Sequence, residues 1–260
     1  MIYIAILLFT FFILIIAFYK WQYMMVFSPI YYRKDELDDC FTMLSIKTDD
    51  GVELEGVVYE PEKPSSTLLF FAGRSHDSVG LIKKLATTFK NVRIITFNYR
   101  SYGKSEGIAS EKNILNDGIQ IAEFVKRNYG DFYILGFYLG SSVCAFVASK
   151  IDVSGVFLVA SFDSIASLAK EKFVKRGIFP MIDLSEIFRY KFNNILHVQE
   201  IESKTYLFVS KHDETTYIEN ARNLRDNIKE LVCYEEFDDR NHKEVLWYPD
   251  VVEKINGVIK

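Results

Sequence analysis

The sequence predicts an α/β protein: a mostly parallel, eight-stranded sheet with helices on both faces, preceded by one N-terminal transmembrane helix. Three observations carry that expectation. The chain opens on an apolar run with no charge before Lys20. A hairpin signal, Asp49-Asp50-Gly51, separates two strand-like stretches. From there to the C-terminus, short apolar runs of strand length alternate with stretches of helical period, the pattern of parallel strands joined by right-handed crossovers.

Taken in order, residues 1–27 are read as a membrane anchor. At 1.5 Å per residue the run from Ile2 through Tyr19 spans roughly 27 Å, about the hydrocarbon core of a bilayer. Tyr19, Trp21 and Tyr23 then make an interfacial aromatic belt. A cleaved signal peptide wants an early Lys or Arg, a shorter apolar stretch and an A-x-A-like site, and none is present. Lys20, Arg33 and Lys34 follow the span with no Lys or Arg before it, so the positive-inside rule places the soluble domain in the cytoplasm. The three cysteines, Cys40, Cys144 and Cys233, are odd in number and far apart, as expected of a reducing compartment. Cys144 and Cys233 lie in apolar runs and read as core residues.

Residues 28–41 form a juxtamembrane connector with an acidic second half, and 42–260 one α/β domain. Within it, Phe41–Lys47 and 52–59 are the hairpin strands, closed off by Pro61 and Pro64. Thr67–Phe71 is apolar at nearly every position, as a strand covered on both faces requires. A helical pattern over 79–89, a strand at 92–97 and an amphipathic helix at Glu111–Tyr129 follow, the helix with Ile114, Ile119, Ile121, Ala122 and Val125 at helical spacing. Strands at 132–135 and 156–160 come next. Residues 162–200 read as a short helical, aromatic-rich, lid-like insertion interrupted at Gly177 and Pro180. A strand at 206–209, a helix at 217–228, a strand at Leu231–Phe237 and a closing helix over 245–259 complete the chain. Net charge is −4 with no basic block, which argues against nucleic-acid binding. No His, Cys and carboxylate spacing suggests a metal site, and no cofactor is implied.

The run 132–135 leads into Gly136-Phe137-Tyr138-Leu139-Gly140, then into Ser141, Ser142 and further small or apolar residues. This strand, glycine-flanked turn and small-residue helix have the spacing of G-x-S-x-G, in which a Cβ on either glycine would collide with a neighbouring strand or helix. Asn98-Tyr99-Arg100-Ser101-Tyr102-Gly103-Lys104-Ser105-Glu106-Gly107 lies after the fourth strand, Ser210-Lys211-His212-Asp213-Glu214 after the seventh and Asn241-His242-Lys243-Glu244 after the eighth. On these motifs the chain resembles the α/β-hydrolase superfamily, and looks most like its membrane-anchored, lysophospholipase-like and serine-aminopeptidase-like branch, with tyrosine at the nucleophile position. The decapeptide at 98–107 is close to that family's YRGYGKSEG turn and is the most specific match.

The resemblance implies a catalytic set of Tyr138, Asp213 and His242, with oxyanion N–H donors at Arg74 and Leu139. His242 takes the place of the base and Asp213 of the acid that holds its tautomer. The family's His-Gly after the third strand is Ala72-Gly73 here, which removes a loop-bracing hydrogen bond but neither N–H donor. His76, His197 and His212 match no family position and read as ordinary loop or surface residues. Tyrosine is a poor acyl acceptor, with a phenol pKa near 10 and an oxygen several ångströms too far from the backbone.

Two readings therefore stand. In one, the protein is a hydrolase homologue that binds rather than cleaves. In the other, it hydrolyses esters, thioesters or lipids through an unusual nucleophile: Tyr138 itself, or Ser141, Ser142 or Ser75 nearby, with Ser105 assigned to the structural turn. Phe162, Phe173, Phe179, Met181, Ile187, Phe188 and Tyr190 either line an acyl pocket or form core beneath the insertion. With the anchor they point to an acyl or lipid-like small molecule as ligand and the membrane as partner; oligomeric state stays open.

Overall fold

In the computed structural model, which describes residues 2–31, 37–38, 40–175, 177, 184–238 and 241–259, the apolar run forms a single helix, α1 (Ile2–Val26). Its 25 residues contain no glycine or proline, so nothing interrupts the backbone ladder. The mean hydropathy of its most apolar window is 2.8 and none of that window is buried, so the helix is long and apolar enough to cross a membrane. Its last turns behave differently: Gln22, Val26 and Phe27 are buried against the domain. Arg33 and Lys34, used above for orientation, lie outside the described residues, as do Phe179, Pro180 and Met181.

The domain is built on one sheet of eight strands: β1 (Phe41–Lys47), β2 (Glu53–Tyr59), β3 (Thr67–Phe71), β4 (Arg93–Phe97), β5 (Tyr133–Phe137), β6 (Gly155–Val159), β7 (Thr205–Ser210) and β8 (Leu231–Phe237). Their order is β1-β2-β4-β3-β5-β6-β7-β8, with β1–β2 and β2–β4 antiparallel and the remainder parallel. The composition of each strand matches its place. Every residue of β3 and β6 is buried, because helices cover both faces there, whereas edge strand β1 alternates half-buried with exposed positions. The β1–β2 turn carries Gly51 at φ +85°, a conformation that glycine adopts without strain.

The main crossover helices are α2 (Ile82–Thr88), α3 (Glu111–Tyr129) and α4 (Leu139–Ala148). The Ser110 hydroxyl accepts from the Asn113 N–H to cap α3, and Gly130 at φ 82° ends it. Its buried stripe is Ile114, Leu115, Gly118, Ile121, Ala122 and Val125. Helix α4 is buried along nearly its whole length against the centre of the sheet, which explains why its residues are small and apolar.

The insertion contains α5 (Ile165–Lys175), α6 (Leu184–Ile187) and α7 (Asn194–Val198), and α8 (Ile218–Arg225) packs beyond β7. The closing helix expected over 245–259 is divided. Val245–Trp247 is a 3-10 turn, Tyr248 is extended at ψ 132°, and α9 (Pro249–Val258) starts on its proline. Proline disfavours the helical region for the residue before it and suits the first helical position, where no N–H is needed.

Candidate active site

The sheet order reverses at β3: the chain moves to one side for β4 and to the other for β5. The carboxyl ends of adjacent β3 and β5 therefore diverge into a crevice, the place where open α/β sheets put their ligands. The loop holding Arg74 leaves from β3 and the turn holding Tyr138 leaves from β5. Tyr138 has φ 52° and ψ −112°, a strained backbone for any residue with a Cβ. Packing enforces it. A Cβ on Gly140 would run into the carbonyl oxygen of Phe71 in β3, and one on Gly136 would meet the Gly140 carbonyl and come within 2.6 Å of the Cys144 sulfur in α4.

Asp213 and His242 arrive from the ends of β7 and β8. The Asp213 carboxylate, 4% exposed, accepts from the N–H groups of Thr215 and Thr216, both at 2.7 Å, and from the Thr216 hydroxyl. It also meets His242 Nδ1 at 2.7 Å. A carboxylate opposite Nδ1 fixes the tautomer that carries its proton there, leaving Nε2 as the basic nitrogen. His242 stands edge-on to the Tyr138 ring, with centroids 4.9 Å apart and planes at 89°, and its other neighbour is the Phe137 ring at 5.2 Å.

The contact between Tyr138 and His242 is thus ring to ring. Among the described residues the phenol makes no hydrogen bond to the imidazole. Burial pushes the phenol pKa above its ordinary value; nearby Arg74 pulls it down and Asp213 pushes it further up. At neutral pH the phenol is protonated and a weak nucleophile.

Ser141 and Ser105 are committed elsewhere, and Ser142 and Ser75 form no hydrogen bond to His242. The Ser141 hydroxyl donates to the Tyr138 carbonyl at 2.6 Å and lies 2.8 Å from the Ser161 hydroxyl. Ser142 is buried with no partner for its hydroxyl among the described residues, and Ser75 is exposed. Ser105 accepts from the Glu55 N–H and donates to the Asn98 carbonyl, holding the turn after β4.

The N–H of Leu139, first residue of α4, and the N–H of Arg74 find no acceptor among the described residues. First-turn helix N–H groups lack intrahelical partners, and here one is presented beside Tyr138. With Ala72 in place of a bracing histidine, the loop is held from another direction. The Tyr99 hydroxyl donates to the Ala72 carbonyl at 2.7 Å, and the Tyr102 hydroxyl to the Arg74 carbonyl at 2.6 Å. The Arg74 side chain reaches the opposite way: its guanidinium donates to the carbonyls of Met24 (3.1 Å) and Met25 (2.6 Å), which end α1 and lack intrahelical donors.

Those braces were not legible as such in the sequence. Tyr99 and Tyr102 sit in the motif that flagged the fold, so their positions were marked, but not their hydroxyl partners. Nothing in the spacing linked Arg74 to the end of α1.

A slot of about 130 Å³ leads to Tyr138, bounded by Met25 and Val26 of α1, Ile165 and Leu168 of α5, Lys172 and Tyr217 among others. The insertion's aromatics are largely elsewhere. Phe162 is buried behind the Tyr138 ring at 5.7 Å. Phe188 and Tyr190 are buried against the end of α1, with Phe188 6.3 Å from Trp21 and Tyr190 5.0 Å from Phe27. Phe173 packs on the core from a half-buried position, and Ile187 is exposed. The lining of the slot is therefore mixed, with Met25, Val26, Ile165, Leu168 and Ala169 as its apolar part and Arg74, Lys172 and Glu214 as its charged part, and α1 supplies some of it.

His76 is half-buried in the loop after β3, its ring against Phe137 at 5.8 Å, and burial lowers its pKa. His197 of α7 packs against Phe146 of α4, and His212 is exposed beside Asp213. Among the described residues no group of three His, Cys, Asp or Glu is placed to hold a metal ion.

No known protein-family profile matches the chain. An uncharacterised protein of Acanthamoeba polyphaga mimivirus is 24% identical over 199 residues, covering 70% of this chain and 67% of the viral one. Solved structures are informative about the fold. An esterase from Pyrococcus furiosus superposes with a TM-score of 0.69 at 15% identity, over 90% of this chain and 97% of its own. A bacterial membrane phospholipase A superposes with a TM-score of 0.66 at 13% identity, over 99% of this chain and 94% of its own. The esterase domain of a Rhodothermus marinus protein gives 0.61 at 17%, over 84% and 96%. With its sheet order, its strained turn after β5 and these structural neighbours, the chain has the fold of the α/β-hydrolases, preceded by an apolar helix long enough to span a membrane.

Proposed function

We propose that this is a membrane-anchored α/β-hydrolase-fold protein of the lysophospholipase-like kind that binds an acyl or lipid-like ligand without cleaving it by serine-hydrolase chemistry. The observation that carries this reading is the edge-on contact of the Tyr138 ring with His242: a phenol ring that stays protonated stands against the imidazole where an attacking serine oxygen would be. The hydroxyls of Ser141 and Ser142 are buried away from it. A slot of about 130 Å³ is far smaller than the usual ligand cavity and admits a narrow chain, not a bulky headgroup.

A second reading is favoured by one specific feature. The Asp213–His242 pair is hydrogen-bonded as a working base requires, and two N–H donors stand ready, so an active hydrolase would use Tyr138 as its nucleophile, with His242 taking the phenol proton.

Labelling the full chain, purified in detergent, with a fluorophosphonate probe and assaying aryl esters separates the two. The expected result is a silent natural chain and a Tyr138→Ser variant that gains labelling and turnover, both lost again in Tyr138→Ser with His242→Ala. Turnover by the natural chain that His242→Ala abolishes overturns the binding reading in favour of hydrolysis.

A further inference from the structure

We infer that the groove where α1 meets the domain is a binding site for the phosphate headgroup of a membrane lipid, whose chain runs along α1 toward the slot at Tyr138. Ala17, Lys20, Trp21 and Met24 lie at the i, i+3, i+4 and i+7 positions of α1 and form one continuous stripe. Opposite them stand Arg74, from the loop after β3, and Lys172, from α5. Together they enclose about 540 Å³ of open-sided groove that, among the described residues, is lined by three cations and no carboxylate.

The depth of this groove is set by the fold. Gln22 ties the end of α1 to the insertion, donating to the Ile187 carbonyl and accepting from the Arg189 N–H at 2.7 Å, while Arg74 binds the Met24 and Met25 carbonyls. The anchor therefore does not end in a free tether. Lys20 is the first charge after the apolar span, so it marks the headgroup level, and the docking brings Arg74 and Lys172 to the same groove.

The two lysines are also uncommitted. Lys175 pairs with Glu171 and Lys211 with Asp238, but Lys20 and Lys172 form no ion pair among the described residues. Trp21 and Met24 remain 40% and 70% exposed, giving the groove an apolar wall between Lys20 and the domain. Met25, Arg74 and Lys172 line both this groove and the slot that reaches Tyr138, so the two are continuous. A phosphate on the cations and an acyl chain against α1 satisfies both chemistries. The chain's destination rests on the binding reading above; the headgroup site rests on Lys20, Arg74 and Lys172.

Native mass spectrometry of the full chain in neutral maltoside detergent tests this, using dioctanoyl phosphatidate, dioctanoylglycerol and inorganic phosphate as probes. Phosphatidate is expected to be retained, about thirty-fold more weakly in Lys20→Gln/Lys172→Gln, the loss of two cations near an anionic lipid. It is expected to be unaffected by Lys175→Gln/Lys211→Gln. Dioctanoylglycerol should not be retained, and excess inorganic phosphate should not displace the lipid.

Equal weakening in both double variants reduces the effect to general surface charge and overturns the site. Equal retention of dioctanoylglycerol removes the headgroup from recognition, and displacement by free phosphate makes the groove an anion pocket; either also overturns it. Release of octanoate in the same experiment refutes the non-hydrolytic reading while leaving the headgroup site standing.

Discussion

Tyr138 occupies a backbone conformation that the fold imposes irrespective of the side chain placed there. The two flanking glycines make this possible, and each is required by a different contact. Gly136 faces the Gly140 carbonyl and Cys144 of α4, and Gly140 faces the Phe71 carbonyl of β3. Backbone cannot step aside as a flexible side chain can. Gly140→Ala is therefore expected to destabilise the domain by about 3 kcal/mol, at the upper end of overpacking costs, as read by chemical denaturation of the detergent-solubilised chain. If that variant keeps natural stability, the strand–helix contact is looser than described. The glycine spacing around Tyr138 thus encodes backbone geometry.

At the scale of elements, the turn after β4 is tied to α3 by a buried ion pair. Arg100 Nε and Nη2 donate to the two oxygens of Asp117, both at 2.7 Å, with the side chains 5% and 2% exposed. Arg100 also reaches Asp50 in the β1–β2 turn, whose side chain is 57% exposed. The two partners differ in environment, so they differ in effect. Asp117→Ala leaves the buried guanidinium only the exposed Asp50 as a partner and is expected to cost about 3 kcal/mol. Asp50→Ala removes a pair that water already screens and is expected to leave the unfolding midpoint within the scatter of surface substitutions. Comparing both midpoints with the natural chain checks the assignment; equal losses would mean that Asp117 carries no special burden. The same turn supplies Tyr99 and Tyr102, so its integrity reaches the loop that holds the Arg74 N–H.

At the scale of the whole molecule, the end of the N-terminal apolar helix is part of the domain's architecture. Phe27, Tyr190 and Phe192 pack edge to face where α1 ends, and Ser28 N–H meets both the Arg74 carbonyl and the Tyr102 hydroxyl. Cutting the chain near residue 30 would uncover this cluster and one wall of the slot. The charge that follows the span argues for a cytoplasmic domain. Alkaline phosphatase fused at the C-terminus is expected to be inactive and a fluorescent reporter bright; an active phosphatase fusion would place the domain on the other side.

Local chemistry alone determined a good deal here. Periodicity, the continuous apolar runs of buried strands, the Asp49-Asp50-Gly51 turn and the glycine spacing around Tyr138 each reflect a constraint acting over a few residues, and such constraints are written directly into a sequence. The same locality explains the error at the closing helix, where an apolar period ran across Pro249 and the proline divided it. Only tertiary structure decided the rest. It brought Asp213 and His242 to 2.7 Å across 29 positions, turned the Tyr138 ring onto His242, and set the Arg74 guanidinium on the last carbonyls of α1. It also packed Phe188 and Tyr190 on the end of α1 and left the slot a mixed lining of aliphatic and charged residues. Contacts of this kind join segments far apart in the chain, and their partners are chosen by packing geometry, which no local pattern records.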